Sequence, residues 1–218
     1  MFKGFVLATA VAGIMALSPL AGAEDRTGDA YPLSTCPVSG KALGSMDEPV
    51  VAVIDGQEVR FCCGGCKPMY EQDKAKYQAK VDEQIAKNQE GYYPTDKCVN
   101  SGEPLGDSPA AFVGGNRLVK TCCNDCKAAV LKDPAKAFEK LDAAAKEKQE
   151  GDYPLQTCVV SGEKLGGMGD PVEVVTANRL VKLCCAGCKK ALEKDPAKYL
   201  GEVDKARSAA TSQAKSAS

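Results

Sequence analysis

Apolar and polar positions fall into a short-period pattern three times along the chain. Val50-Val51-Ala52-Val53-Ile54 is followed by Asp55-Gly56 and then Glu58-Val59-Arg60-Phe61. That pattern predicts a strand, a tight turn and a second strand. Val172 to Thr176, Ala177-Asn178 and Arg179 to Leu183 repeat it, and the middle version turns at Gly114-Gly115-Asn116. Downstream the period becomes helical. Tyr77, Val81 and Ile85, and later Phe138, Leu141 and Ala145, form thin apolar stripes on stretches otherwise rich in Lys, Glu and Gln. These helices are therefore expected to be largely solvated. Asp133-Pro134 and Asp195-Pro196 predict an N-cap followed by proline at the first helical position. Gly91 and Gly151 predict helix ends. The small, polar stretch 207–218 predicts a disordered tail.

The elements belong to an internal repeat of about 60 residues. Tyr31-Pro32, Tyr93-Pro94 and Tyr153-Pro154 open the copies, and Ser39-Gly40, Ser101-Gly102 and Ser161-Gly162 follow. Next come Leu43-Gly44, Leu105-Gly106 and Leu165-Gly166. Tyr-Pro is expected to pack the start of each unit against its helix, Ser-Gly to turn, and Leu-Gly to supply a core contact and a turn. The predicted architecture is α+β: three tandem cysteine-rich modules at 30–90, 92–150 and 152–206, each a β-hairpin followed by a helix. Each module carries its own cysteines, so the modules are expected to behave as separate beads. A hairpin and a helix in about 60 residues bury too little to be stable without a staple.

The start of the chain changes the compartment. Met1-Phe-Lys3, the apolar run from Phe5 to Ala21, and Ala21-Gly22-Ala23 before Glu24-Asp25 read as a cleaved signal peptide over 1–23. The run is too short for a membrane span. The expected product is exported, periplasmic or secreted, with no membrane span after cleavage. Of 28 Lys and Arg, removal of Lys3 leaves 27 against 29 Asp and Glu, a formal charge of −2. That balance gives no electrostatic footprint for nucleic acid. The chain has no histidine, so the commonest general base and nitrogen ligand are missing, and no enzyme activity is expected.

The chemistry then rests on twelve cysteines, four to a copy: Cys36, Cys62, Cys63 and Cys66; Cys98, Cys122, Cys123 and Cys126; Cys158, Cys184, Cys185 and Cys188. Three readings compete. An even count in an oxidising compartment permits a disulfide-stapled structural or interaction protein. Adjacent Cα atoms are about 3.8 Å apart and ordinary disulfides span roughly 4.4–6.8 Å, so neighbours such as Cys62 and Cys63 should not pair. Cys63-Gly-Gly-Cys66, Cys123-Asn-Asp-Cys126 and Cys185-Ala-Gly-Cys188 resemble a thiol–disulfide redox pair, but without a surrounding βαβ pattern. Metal binding uses every cysteine: a turn presents the first, the hairpin delivers two, and a helix start delivers the last. All twelve are candidate metal ligands. Four thiolates without histidine favour a soft or borderline ion, Cu(I) or Zn(II), about one per module. Lys67, Lys127 and Lys189 follow the clusters and are candidates to offset thiolate charge, and Met46 and Met168 are candidate thioether donors in the outer copies.

Cys36-Pro-Val-Ser-Gly, the hairpin, Phe61-Cys-Cys-Gly-Gly-Cys and the Asp-Pro-Ala-Lys-Tyr run at 195–199 together resemble YHS and TRASH domains. The resemblance covers nearly all of 31–205. It implies a treble-clef-like fold and heavy-metal binding, in storage, delivery, sensing or resistance, with a metal-trafficking protein as partner. The family pattern of one early cysteine and a later C-x-x-x-C matches Cys36 with Cys62 and Cys66, Cys98 with Cys122 and Cys126, and Cys158 with Cys184 and Cys188. Cys63, Cys123 and Cys185 lie outside it, as a fourth ligand or a packing residue. The histidine that names YHS domains is absent.

Overall fold

Three two-residue turns shape the molecule, described here over residues 26–216 of a computed structural model. The leader read at 1–23 lies outside the described residues. Asp55 and Gly56, Gly115 and Asn116, and Ala177 and Asn178 all have positive φ, between 50° and 79°. That is the backbone a tight antiparallel hairpin requires. The turns join β1 (Val50–Ile54) to β2 (Gln57–Phe61), β3 (Ala110–Gly114) to β4 (Arg117–Thr121), and β5 (Val172–Thr176) to β6 (Arg179–Leu183). Each pair is its own two-stranded antiparallel sheet, with Val50 opposite Phe61, Ala110 opposite Thr121 and Val172 opposite Leu183. The α+β repeat is as the sequence predicts.

Each hairpin leads into two helices, where the sequence predicts one. These are α1 (Cys66–Gln72) and α2 (Lys74–Glu90), α3 (Asn124–Lys132) and α4 (Ala135–Gln149), and α5 (Cys188–Lys194) and α6 (Pro196–Ser216). The break falls at Asp73, Asp133 and Asp195, each with φ between −129° and −143° and positive ψ. A residue before proline is pushed out of the helical region, which accounts for Asp133 and Asp195. Asp73 precedes Lys74 and breaks in the same way. Of the expected caps only the Asp195 carboxylate is in place, accepting the Lys198 N–H at 3.2 Å. Residues 207–216, expected to be disordered, continue α6 as helix. Among the described residues no helix is long and apolar enough to cross a membrane.

Each unit has a small core, and in the first and third it includes cysteines of the unit. In the first, Tyr31, Val59, Phe61, Tyr70, Val81 and Ile85 cluster with Cys36, Cys62 and Cys66. Tyr70 meets Phe61 edge-on at 5.4 Å and stacks on Tyr77 at 5.9 Å. Leu141 in the second unit and Leu200 and Val203 in the third fill the corresponding place. Leu43, Leu105 and Leu165 pack against these cores, and Gly44, Gly106 and Gly166 follow in the left-handed region.

The units are not independent beads. Gln89, at the end of α2, is fully buried against the next hairpin, where its amide donates to Asn116 O (2.8 Å) and accepts from Leu118 N (2.9 Å). Gln149, at the end of α4, grips the third hairpin identically, through Asn178 O (2.8 Å) and Leu180 N (3.1 Å). Each turn asparagine reaches back to the preceding hairpin, Asn116 to Glu58 O (3.0 Å) and Asn178 to Leu118 O (2.9 Å). Among the described residues no glutamine amide reaches the first turn, and there Thr27 N–H donates to Gly56 O at 2.8 Å, as the glutamine amides do elsewhere. Arg60 closes the arrangement by donating to the carbonyls of Glu193 (2.7 Å) and Lys194 in the third unit. Small cores leave turn backbone to be satisfied, and buried amides from the neighbouring unit satisfy it.

Candidate metal centres

Each centre begins with a turn that aims backbone N–H groups at a sulfur. Cys36 N–H donates to Lys41 O (2.8 Å) and Gly40 N–H to Cys36 O (2.9 Å), with Gly40 at φ 71°. Cys98 with Gly102 and Cys158 with Gly162 make the same loop, closed by the bridges Lys97 to Pro104 and Thr157 to Lys164. The second sulfur, on Cys62, Cys122 or Cys184, immediately follows the second strand of the hairpin. The third, on Cys66, Cys126 or Cys188, lies in the first turn of the short helix. Turn, hairpin and helix in that order form a treble-clef-like unit.

The three sulfurs of each set lie within 4.8 Å of one another. Cys62 and Cys66 are 3.8 Å apart, Cys122 and Cys126 3.7 Å, and Cys184 and Cys188 3.7 Å. Two thiolates each about 2.3 Å from one ion, at trigonal to tetrahedral angles, stand roughly 3.8–4.0 Å apart. One pair in each triad already has that spacing, the third sulfur lies within 4.8 Å of both, and the triads can hold metal ions. The outer triads are buried, whereas Cys122 and Cys126 of the middle one are only half-buried.

Serine belongs to the site as well as to the turn. Ser39 Oγ lies 3.2 Å from Cys62 Sγ, Ser161 Oγ 3.2 Å from Cys184 Sγ, and Ser101 Oγ 3.7 Å from Cys122 Sγ. Burial alone would raise the first thiol of each set. Hydrogen bonds from serine and neighbouring backbone N–H groups reverse this, bringing Cys36 down to about 7 and Cys98 and Cys158 to about 6. Burial and the neighbouring sulfurs push Cys66 and Cys188 up to about 12. Ser101 acts to lower Cys122, but the Cys98 and Cys126 sulfurs outweigh it and hold it up at about 12. Each set therefore joins a thiol held low to one held high, and an ion taken up there must displace the proton that the second retains. Asn100, which sequence reasoning missed, donates to Cys126 Sγ at 3.4 Å in the middle unit.

The fourth cysteines sit beside the triads, outside the sets whose sulfurs all lie within 4.8 Å. Cys63 Sγ is 3.6 Å from Cys66 Sγ, Cys123 Sγ 3.8 Å from Cys122 Sγ, and Cys185 Sγ 4.0 Å from Cys188 Sγ. No disulfide joins any two of the twelve cysteines in this structure. The lysines after the clusters turn elsewhere: Lys67 and Lys189 pair with Glu71 and Glu193, and Lys127 lies over the Phe112 ring. Met46 and Met168 are solvent-exposed, Met46 beside the Lys41 ammonium. Compared with protein-family models, with curated proteins and with solved structures, the chain finds no match.

Proposed function

We propose that the chain is an exported carrier of soft metal ions, holding about one Cu(I) or Zn(II) per unit for storage, delivery or resistance. The triad carries this reading: three sulfurs within 4.8 Å of one another, one pair already at the separation a shared ion imposes, built three times from the same turn, hairpin and helix. No histidine competes for the role, and a thiolate-only donor set selects soft or borderline ions over calcium or magnesium. Three sulfurs suit Cu(I); a structural Zn(II), which takes four ligands, would also draw in Cys63, Cys123 and Cys185. The resemblance to YHS and TRASH domains and the leader pattern at 1–23 support the same reading, with a metal-trafficking protein as the exchange partner.

Free thiols counted without reductant, before and after a chelator, test it. Thiols unmasked by the chelator are the expected result. Thiols that appear only with reductant would replace the proposal with a disulfide-stapled interaction protein.

A further inference from the structure

Each unit spends one cysteine more than its triad needs. That cysteine is the most solvent-accessible of the four. Cys123 is exposed and Cys63 and Cys185 are half-buried, while Cys36, Cys62, Cys158 and Cys184 are buried to 4% exposure or less. Each fourth sulfur is 3.6–4.0 Å from a sulfur of its triad, the separation of two thiolates on one ion. It nevertheless stands outside the set that closes around a single point. After Cys63 the chain has room to move, since no atom lies within 4 Å of where a Cβ would stand on Gly64 or Gly65.

We infer that Cys63, Cys123 and Cys185 are exchange ligands, the sulfurs through which a thiophilic ion enters and leaves the neighbouring triad. This rests on the metal-binding reading above. An ion arriving on another thiolate meets the fourth sulfur first, because in each unit it is the more accessible one. The fourth thiol loses its proton as it binds the ion, and the incoming carrier's sulfur departs. A triad sulfur then replaces the fourth, giving up its own proton while the fourth takes one back. The number of metal–sulfur bonds is kept through each exchange, and no electron moves. Departure runs in reverse. The middle unit has both the exposed fourth cysteine and the more open triad, so it exchanges fastest.

The test uses the full mature chain loaded with Cu(I) alone under anaerobic reducing conditions, then mixed with the chromogenic chelator bicinchoninate. The variant Cys63→Ser/Cys123→Ser/Cys185→Ser should still load three ions. Its equilibrium partition against the chelator should stay within about twofold of wild type, and its transfer rate should fall by about tenfold or more. An unchanged rate overturns the inference. A large loss of equilibrium affinity also overturns it, by making the fourth sulfur a permanent ligand. Cys123→Ser alone, at an exposed position that leaves the cores intact, should remove only the fastest phase, and persistence of that phase counts against the inference. A wild type that takes up no Cu(I) overturns the metal-binding reading itself, and this is read at loading, before exchange is measured.

Discussion

Asp29→Ala removes a carboxylate that touches two units beyond its own. Asp29 accepts two parallel bonds from the Arg117 guanidinium, at 2.7 and 2.9 Å, and a third from Ala177 N–H at 2.6 Å. Both side chains of the ion pair are at least nine-tenths buried. Burial works against the Arg117 charge, and Asp29 and Asp142 together more than offset it, holding that group above its usual range. Breaking a buried pair by removing one partner costs about 3–5 kcal/mol, because the other charge is left without its counterion. Arg117 keeps Asp142 and the Val175 carbonyl, so the lower end, about 3 kcal/mol, is the expected loss of unfolding free energy. Urea denaturation of the wild type and variant, followed by far-ultraviolet circular dichroism, measures it. As a control, removing Glu83 from its exposed pair with Lys87 should leave the midpoint unchanged. A loss below about 1 kcal/mol, the range of a surface pair, or separate unfolding transitions for the units in the wild type, would refute the interlocked arrangement.

Gly115→Ala should destabilise by about 1–3 kcal/mol, because a Cβ there lands 2.4 Å from Thr27 O at φ +54°; Gly151→Ala, with open space around it, is the control in the same melt. Asp82→Asn should raise the melting temperature at neutral pH. Burial lifts the Asp82 carboxyl above its ordinary value, so its penalty begins as pH rises through the unfolded-state value and is complete above the raised folded-state one, and the difference from wild type should vanish in acid where both states are protonated. Ser161→Ala should move Cys158 up from about 6, by the share the hydroxyl adds to the backbone N–H bonds that remain, seen as a shift in thiolate absorbance. Because the depressed Cys158 value adds stability above 9 that is lost as pH falls through about 6, this variant should flatten the stability gain across that window.

The hairpins were legible because their turns are written in the residues that tolerate positive φ. Both strands of the third, Val172–Thr176 and Arg179–Leu183, fall where alternation and Ala177-Asn178 put them. Cysteine spacing likewise located the triads, since a turn, a strand end and a helix start leave few ways for three sulfurs to meet. The start of the long helix was legible at Asp133-Pro134 and Asp195-Pro196, but the short helix ahead of it was not told apart from it, and in the first unit Asp73-Lys74 carries no proline to mark the break. The contacts between units were hidden for another reason: Gln89 and Gln149 read as solvated helix positions, and nothing local marks a glutamine that will be buried. Their only trace is register. Glutamine recurs near the end of the first two long helices, each of which meets the following hairpin, and the matching position of the last is Thr211. Asparagine recurs in the second and third turns, where it reaches the preceding hairpin, and gives way to Gly56 in the first. Ser39, Ser101 and Ser161 carry a similar double meaning, as turn residues whose hydroxyls also reach sulfur.

Native mass spectrometry of the full mature chain, titrated with limiting Cu(I) and separately with Zn(II), asks directly whether each triad is a site. The account predicts filling to three ions, and to two after Cys98→Ser with Cys126→Ser, which removes the middle triad alone. A fully reduced chain that retains no ion would contradict it, as would loss of all three ions from the middle-triad variant, which would mean one cluster shared between units.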